Sequence, residues 1–189
     1  MTQLGWKVGF GSPAAQERLG LDAPLVAPLP SSGLVDTGAV VALDGWTQPV
    51  IEFEVAIWIG RGLGAAIELA DLEFPPDDVE RILASGIYHR HVILGPPRAQ
   101  TLAGADARVA RDGEDVSATG DLTALTGGHD WILDAVRARA GRELRDGEVV
   151  IAGAVVPPAP VEPGQRWHLD LGPLGALSVE LARATSGRA

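Results

Sequence analysis

The sequence predicts a β-rich α+β domain, a mixed roll or barrel with few short helices. Three observations lead there. Apolar residues come in short alternating runs, among them VIEFEVAIWIG at 50–60 and EVVIAGAV at 148–155. Gly (24) and Pro (14) punctuate the chain between those runs, as they do where short strands are joined by tight turns. Only three stretches carry helical spacing. Many short strands of this kind close into a roll or barrel.

In chain order, WKVGF is a strand candidate, and residues 13–20 form one or two helical turns with Ser12 as cap, Pro13 first and Gly20 as the stop. Residues 24–33 read as a Pro-rich loop, and LVDTGAVVAL as a strand or strand pair. VIEFEVAIWIG is the clearest strand, with AAIELADL the next. Residues 76–85 suit a short helix that Asp77 and Asp78 would open, and HVILGP suits a strand. DARVARDGEDVSATG reads as a hairpin, because R-D-G-E is a tight-turn signal. Residues 129–140 place Trp131, Ile132, Ala135 and Val136 at helical spacing before a capping Gly141. EVVIAGAV and QRWHLDLGPLGALSVELA supply the last strands, and the tail beyond them is expected to fray.

Length and charge bound the function. A chain of 189 residues suits a single domain spanning 1–189. No linker divides it, and the Pro-rich stretches at 24–30 and 157–163 read as loops within it. The net charge of −10 argues against nucleic acid and against an anionic membrane surface. Absence of cysteine excludes disulfides, thiolate catalysis and Cys-ligated zinc. There is no apolar run of bilayer length and no signal peptide, so the chain reads as soluble and cytoplasmic. Among 15 Lys+Arg residues only Lys7 is lysine. An Arg-favouring genome accounts for the arginines. A retained lysine is either chance or a site that needs a titratable amine, a role arginine cannot fill.

On VIEFEVAIWIG, alternation puts Phe53, Val55, Ile57 and Ile59 on one face and Glu52, Glu54, Ala56 and Trp58 on the other. Two carboxylates on a partly buried face must be paired or must hold a cation, and hard oxygens suit Mg²⁺, Mn²⁺ or Ca²⁺. Glutamates turned to water on an edge strand are the plain alternative. The next strand brings Glu68. A hairpin centred near Gly62 would set Glu68 opposite Ala56, on the same face as Glu52 and Glu54 and diagonal to Glu54.

At these residues the sequence resembles a known family. GWKVGF with SPAAQERLGLDAP is similar to the G-x-K-V-G segment of the 2-oxopent-4-enoate hydratases. IEFEVAIWIG resembles their E-x-E metal strand, and AIELAD the segment with the third metal-binding Glu. HVILGPP, GGHDWILDAVRARAGRELRDGEVVIAGAV and PVEPGQRWHLDLGPLGALSVEL follow the rest of the pattern in order. The chain is thus identified as a short, divergent member of the fumarylacetoacetate hydrolase superfamily, in its 2-oxopent-4-enoate hydratase and 4-oxalocrotonate decarboxylase branch.

The resemblance implies the mixed β-roll of the fumarylacetoacetate hydrolase C-terminal type. It implies Mg²⁺ (or Mn²⁺) on Glu52, Glu54 and Glu68, with Lys7 catalytic beside it as proton shuttle or partner of the substrate carboxylate. The expected activity is a metal-dependent hydratase or decarboxylase acting on a small 2-oxo or 2-hydroxydienoate acid, as in meta-cleavage catabolism of aromatic compounds. The expected assembly is a homo-oligomer, or a pair with another lyase of the family. A C–C hydrolase or oxaloacetate decarboxylase at the same site is an alternative, as is a non-catalytic homologue that partners a full-length lyase.

The chain departs from the family pattern at several points. The helical region that precedes G-x-K-V-G in the family is expected to be absent, and so is the insert between the E-x-E strand and the third Glu. Leu25 stands for an expected acid, Ser85-Gly86 for a D-N pair, and Ala152-Gly153 for a Thr-Gly pair at the substrate-binding position.

The remaining candidates are minor. His89 and His91, two apart on a strand, would share a face as a metal pair lacking a carboxylate partner. His129 reads as structural, His168 as a satisfied strand histidine, and Asp71 as a support for the Glu68 strand or for Lys7. GRGLG is a turn without a Rossmann context.

Overall fold

A computed structural model describes residues 2–120, 122–123 and 129–183. The fraying expected of the C-terminal tail falls outside these residues, apart from Arg183. One sheet runs in the order β2-β1-β10-β5-β6-β7-β3. Its strands are β1 (Gln3–Gly9), β2 (Leu25–Pro30), β3 (Leu34–Val35), β5 (Pro49–Trp58), β6 (Gly62–Asp71), β7 (His89–Leu94) and β10 (Val149–Ala154), and β11 (Ala159–Pro160) pairs with the start of β5. The second sheet runs β4-β13-β12-β8-β9. It is built from β4 (Val40–Ala42), β8 (Ala107–Arg111), β9 (Glu114–Thr119), β12 (Arg166–Asp170) and β13 (Ala176–Ala182).

The sheets pack face to face. Phe53, Val55, Ile57, Ile67, Leu69 and Ile93 from the first meet Val109, Trp167, Leu169, Val179 and Leu181 from the second in one buried cluster. Phe53 and Trp167 are in ring contact at 5.8 Å. This apolar face of β5 is the one alternation assigns to the core. The opposite face is the inner surface of a curled half-barrel. Apolar groups flank it, with Ala56, Ala66, Val92, Val149 and Ile151 on one side and Val50, Ala70, Ile82 and Ile87 on the other.

The first and last helices fall where their caps predict, and the middle one is shorter than the 76–85 expected, starting at Val79. In α1 (Pro13–Leu19), Ser12 accepts from Ala15 N–H, and Gly20 closes the helix at φ 64°. Asp78 caps α2 (Val79–Ala84), and Gly141 ends α3 (Asp130–Ala140) in the left-handed region. The R-D-G-E hairpin turns through Asp112 (φ 54°) and Gly113 (φ 88°), a tight turn with both central residues left-handed. Among the described residues, no helix is long and apolar enough to cross a membrane.

Three strand expectations are corrected and one is refined. Residues 24–33 hold the strand β2, antiparallel to β1, with Trp6 opposite Pro28. Proline suits it because β2 is the sheet's edge and its outward side owes no N–H to a neighbour. Part of the 157–163 loop is likewise strand, Ala159–Pro160 beside Val50 and Ile51. LVDTGAVVAL is indeed a strand pair, but its halves enter different sheets, β3 beside β7 and β4 beside β13. The β5–β6 hairpin sets Ala56 against Gly64 and Glu68 against Glu52. It turns at Gly60, not Gly62. The shift is an even number of residues, so Glu68 keeps its face.

Both glycines of GWKVG are explained by close packing. A Cβ on Gly5 would stand 1.8 Å from the Val149 carbonyl oxygen, where β1 runs parallel to β10. One on Gly9 would stand 2.8 Å from Ile87 Cγ2. The residue between them, Lys7, is thereby pressed against the inner face.

Candidate metal centre

β5 lies between β10 and β6, so its glutamates are not on an edge turned to water. Glu54 and Glu68 are fully buried, and Glu52 is half-buried. One carboxylate oxygen from each lies within 4.8 Å of the other two. Glu52 and Glu68 are direct cross-strand partners, a position in which like charges repel unless something neutralises them.

Three groups converge on the triad. Lys7, only 3% exposed, donates from Nζ to Glu68 Oε1 at 2.7 Å and to the Ile87 carbonyl at 2.8 Å. His89 Nδ1 lies 2.8 Å from the same Oε1. Gly153 N–H donates to Glu54 Oε2 at 2.8 Å. This last donor is free because the β10–β5 ladder is irregular between Ile151 and Ala154, and Gly153 adopts φ 94° there. Ala152 beside it is half-buried and packs against the core. The structure thus brings Lys7, Glu52, Glu54, Glu68 and Gly153 to one place.

Electrostatics follow from this crowding. Burial and the charges of Glu68 and Glu52 push the Glu54 carboxyl well above the usual carboxylate range, against the pull of Lys7 and the Gly153 N–H. Burial also raises Glu52, with Lys7 opposing. Burial would raise Glu68 too, but the Lys7 charge and the His89 and Lys7 hydrogen bonds outweigh it and hold Glu68 below its ordinary value. Burial works to lower Lys7, yet the charges of Glu68, Glu52 and Glu54 win and raise it. Glu54 Oε1 and Glu68 Oε2 are buried without a hydrogen-bond partner among the described residues. Two orphaned oxygens in a cluster of three hard donors fit a divalent cation.

The histidines differ from expectation. A bulge in the β6–β7 ladder sets Leu69 against His91 and Ala70 against His89. The extra residue, Arg90, breaks the alternation. His89 therefore turns to Glu68, while His91 stacks on Trp46 with ring centroids 5.9 Å apart. They are not a metal pair, and His89 does have a carboxylate partner. Asp71 accepts from the N–H groups of Thr47 and Gln48 and pairs with Arg90, so it braces the entry to β5 rather than Lys7. His129 stands at the start of α3, and His168 is exposed on β12. Leu25 is buried with Val50 and Ala70 in an apolar cluster.

Sequence reasoning missed the Ile87 carbonyl. Ile87 (φ 58°) and Tyr88 (φ 64°) are consecutive left-handed residues after Gly86, a strained state for a β-branched side chain. Ser85 Oγ holds the turn by accepting from Tyr88 N–H and donating to the Ile82 carbonyl. The Ser85-Gly86 pair is the one local sign of such a turn.

The curled mixed sheet that carries this site is a fold shared with solved structures that hold metal ions. 4-Oxalocrotonate decarboxylase from Pseudomonas putida, complexed with magnesium and adipate, superposes with a TM-score of 0.81 at 19% identity, over 95% of this chain and 78% of that one. Fumarylpyruvate hydrolase from Pseudomonas aeruginosa, in complex with Mn²⁺ and pyruvate, does so with a TM-score of 0.66 at 19% identity, over 94% and 88%. In sequence, the chain is 30% identical to the TodF product hydratase of Pseudomonas putida over 96% of its own length and 77% of that protein's. It is 29% identical to 2-keto-4-pentenoate hydratase 2 of Dechloromonas aromatica over 95% and 78%. No protein-family profile matches the chain. The chain belongs to the family of the TodF product hydratase and the 2-keto-4-pentenoate hydratases.

Proposed function

We propose that this protein is a divalent-metal-dependent lyase, a hydratase or decarboxylase, acting on a small 2-oxo or 2-hydroxydienoate acid. Glu52, Glu54 and Glu68 are its metal ligands. The observation that carries the reading is the pair of buried, unpartnered oxygens, Glu54 Oε1 and Glu68 Oε2, within a carboxylate triad. Relatives that are hydratases by name, and neighbours holding Mg²⁺, Ca²⁺ or Mn²⁺, support it. We assign Mg²⁺ or Mn²⁺ as the native ion, a homo-oligomer as the working assembly and the cytoplasm as its place.

A divalent ion held there supplies a Lewis acid toward the carboxylate and 2-oxo oxygens of the substrate. The protein's own residues do the rest. Lys7 has three N–H bonds, of which Glu68 and the Ile87 carbonyl take two. The third is left for an anionic oxygen of the substrate; the carboxylates around Lys7 keep it charged, so it serves there as a cation, and once an ion held on those carboxylates offsets their pull it donates a proton more readily. Gly153 holds Glu54 in place, and the apolar groups flanking the inner face exclude water from the reacting carbons.

The test is turnover of 2-keto-4-pentenoate in its dienol form and of 4-oxalocrotonate, with and without Mn²⁺, followed by loss of dienol absorbance and by CO₂ release. Metal-dependent turnover of one of them, abolished in Glu54→Gln, is expected. Metal binding without turnover of either would leave a non-catalytic homologue, and no binding would refute the site itself.

A further inference from the structure

Glu68 is the one ligand of the triad with two side-chain donors on the same oxygen. Lys7 Nζ and His89 Nδ1 reach Oε1 at 2.7 and 2.8 Å, while Oε2 has no hydrogen-bond partner among the described residues. We infer that His89 is a positioning residue of the metal centre: by sharing Glu68 Oε1 with Lys7 it fixes the rotation of the carboxylate and leaves Oε2 aimed at the ion. The inference rests on the metal reading proposed above and adds to it a residue that no E-x-E pattern contains.

Three features of the structure make the contact a built one. The His89 side chain is 4% exposed, so its ring has been taken out of water to reach Glu68. The bulge at Arg90 is what turns it there, since unbroken alternation would have given it the His91 face. Space for the ring is kept by Gly33, where a Cβ would stand 2.7 Å from His89 Nε2 and 2.9 Å from the Arg90 carbonyl oxygen. Residues 85–89 then act as one device. The left-handed turn gives the Ile87 carbonyl to Lys7, and the next strand residue gives His89 to Glu68.

An ionised carboxylate oxygen only accepts, so the His89 Nδ1 facing it carries the proton. His89 is not among the donors whose ligand atoms converge, so its effect on a metal passes through Glu68. Groups of this kind hold a ligand's orientation, and their loss typically weakens metal affinity about ten- to a hundredfold.

The experiment is a Mn²⁺ titration followed by the paramagnetic resonance signal of the free ion, which reads binding without substrate. It is made on the wild type, His89→Ala, His89→Asn and His89→Gln, each checked for fold by circular dichroism. The Asn amide nitrogen falls where Nδ1 was and can still donate to Glu68. The Gln amide nitrogen falls where Nε2 was and cannot. The expected result is a loss of about ten- to a hundredfold in His89→Ala and His89→Gln, with His89→Asn close to the wild type. If His89→Ala does not fold, the Asn and Gln pair carries the comparison. Equal affinity in His89→Asn and His89→Gln would overturn the inference and leave the metal reading standing. No Mn²⁺ binding by the wild type would overturn both.

Discussion

Lys7 Nζ and Glu68 Oε1 sit 2.7 Å apart, both buried, on residues 61 positions apart in the chain. Curling of the sheet closes that gap, carrying β1 over the inner face to β6. Removing one member of such a pair leaves a charge in an apolar setting, a loss of about 3–5 kcal/mol. Lys7→Met should therefore lower the metal-free unfolding free energy by about that much in urea, and adding Glu68→Gln should recover most of it. Loss from Lys7→Met that Glu68→Gln does not relieve would show that packing, not charge, is what Lys7 supplies. Lys7→Arg keeps the charge but brings a larger, planar head into a slot shaped by two acceptors. It should cost far more turnover than charge alone explains, and an unchanged rate would end the proton-donor role.

Metal binding should release protons. Burial and neighbouring charges raise Glu54 and Glu52 above the usual carboxylate range, so the metal-free site retains protons that an ion must displace. A raised folded value gives stability that is present below the unfolded value and is lost as pH rises through the folded one. Glu54 and Glu52 thus weaken the metal-free protein toward neutral pH, and the ion removes that penalty. Mn²⁺ affinity should rise with pH from the ordinary carboxylate range upward, and the gain in Tm on loading should grow over the same range. Glu68, held low by Lys7 and His89, contributes the opposite sign and loses its stabilisation only on strong acidification. Calorimetry in buffers of different ionisation enthalpy checks the release. A binding enthalpy independent of buffer would refute it.

Periodicity carried the reading of the site only part of the way. Alternation on β5 and β6 put Glu52, Glu54 and Glu68 on one face because a register error of even size leaves faces unchanged. The direct Glu52–Glu68 pairing depended on the hairpin turning at Gly60, which no local signal fixes. Capping residues marked the ends of the first and last helices because Ser12, Gly20 and Gly141 act on their own neighbours, whereas the middle helix starts at Val79, three residues later than expected, with Asp78 as its cap. The strand β2 was hidden because its prolines are turn signals in isolation and become acceptable only at a sheet edge, a property of the whole topology. The bulge that divides His89 from His91 and the Ile87 carbonyl on Lys7 are likewise products of tertiary pairing.

Gly5 should be as demanding as the lysine two positions on. Any side chain there meets the Val149 carbonyl oxygen at 1.8 Å, with the Val149 carbonyl carbon at 2.7 Å and its nitrogen at 2.8 Å, all of them backbone atoms that cannot rotate away. Gly5→Ala must part β1 from β10 and carry Lys7 with it. The cost should reach about 3 kcal/mol, the upper end of overpacking penalties, and Mn²⁺ affinity should fall as Glu68 loses its partner. Gly20→Ala is the control, because nothing lies within 4 Å of a Cβ there and only the left-handed φ of 64° opposes it. Equal destabilisation by the two, read from urea curves, would mean that β1 and β10 part at little cost and that the contact with Val149 does not dominate at Gly5.

Gly153 tests the other end of the triad, where a backbone N–H rather than a cation holds the carboxylate. Its φ of 94° is unfavourable for any other residue, but the nearest atom to an added Cβ is the Val8 carbonyl oxygen at 4.0 Å. Space is available, so Gly153→Ala pays only in conformation, about 1–2 kcal/mol if the backbone holds its place. If the backbone instead relaxes toward negative φ, stability is partly recovered and the N–H swings away from Glu54 Oε2. Each outcome leaves its own trace. A held backbone gives a lower Tm with Mn²⁺ affinity intact, and a relaxed one gives a smaller drop in Tm with weakened binding. We expect the second, because the β10–β5 ladder is already irregular between Ile151 and Ala154 and leaves the segment room to adjust. Full stability together with full affinity would show that the Gly153 N–H does not hold Glu54 at all.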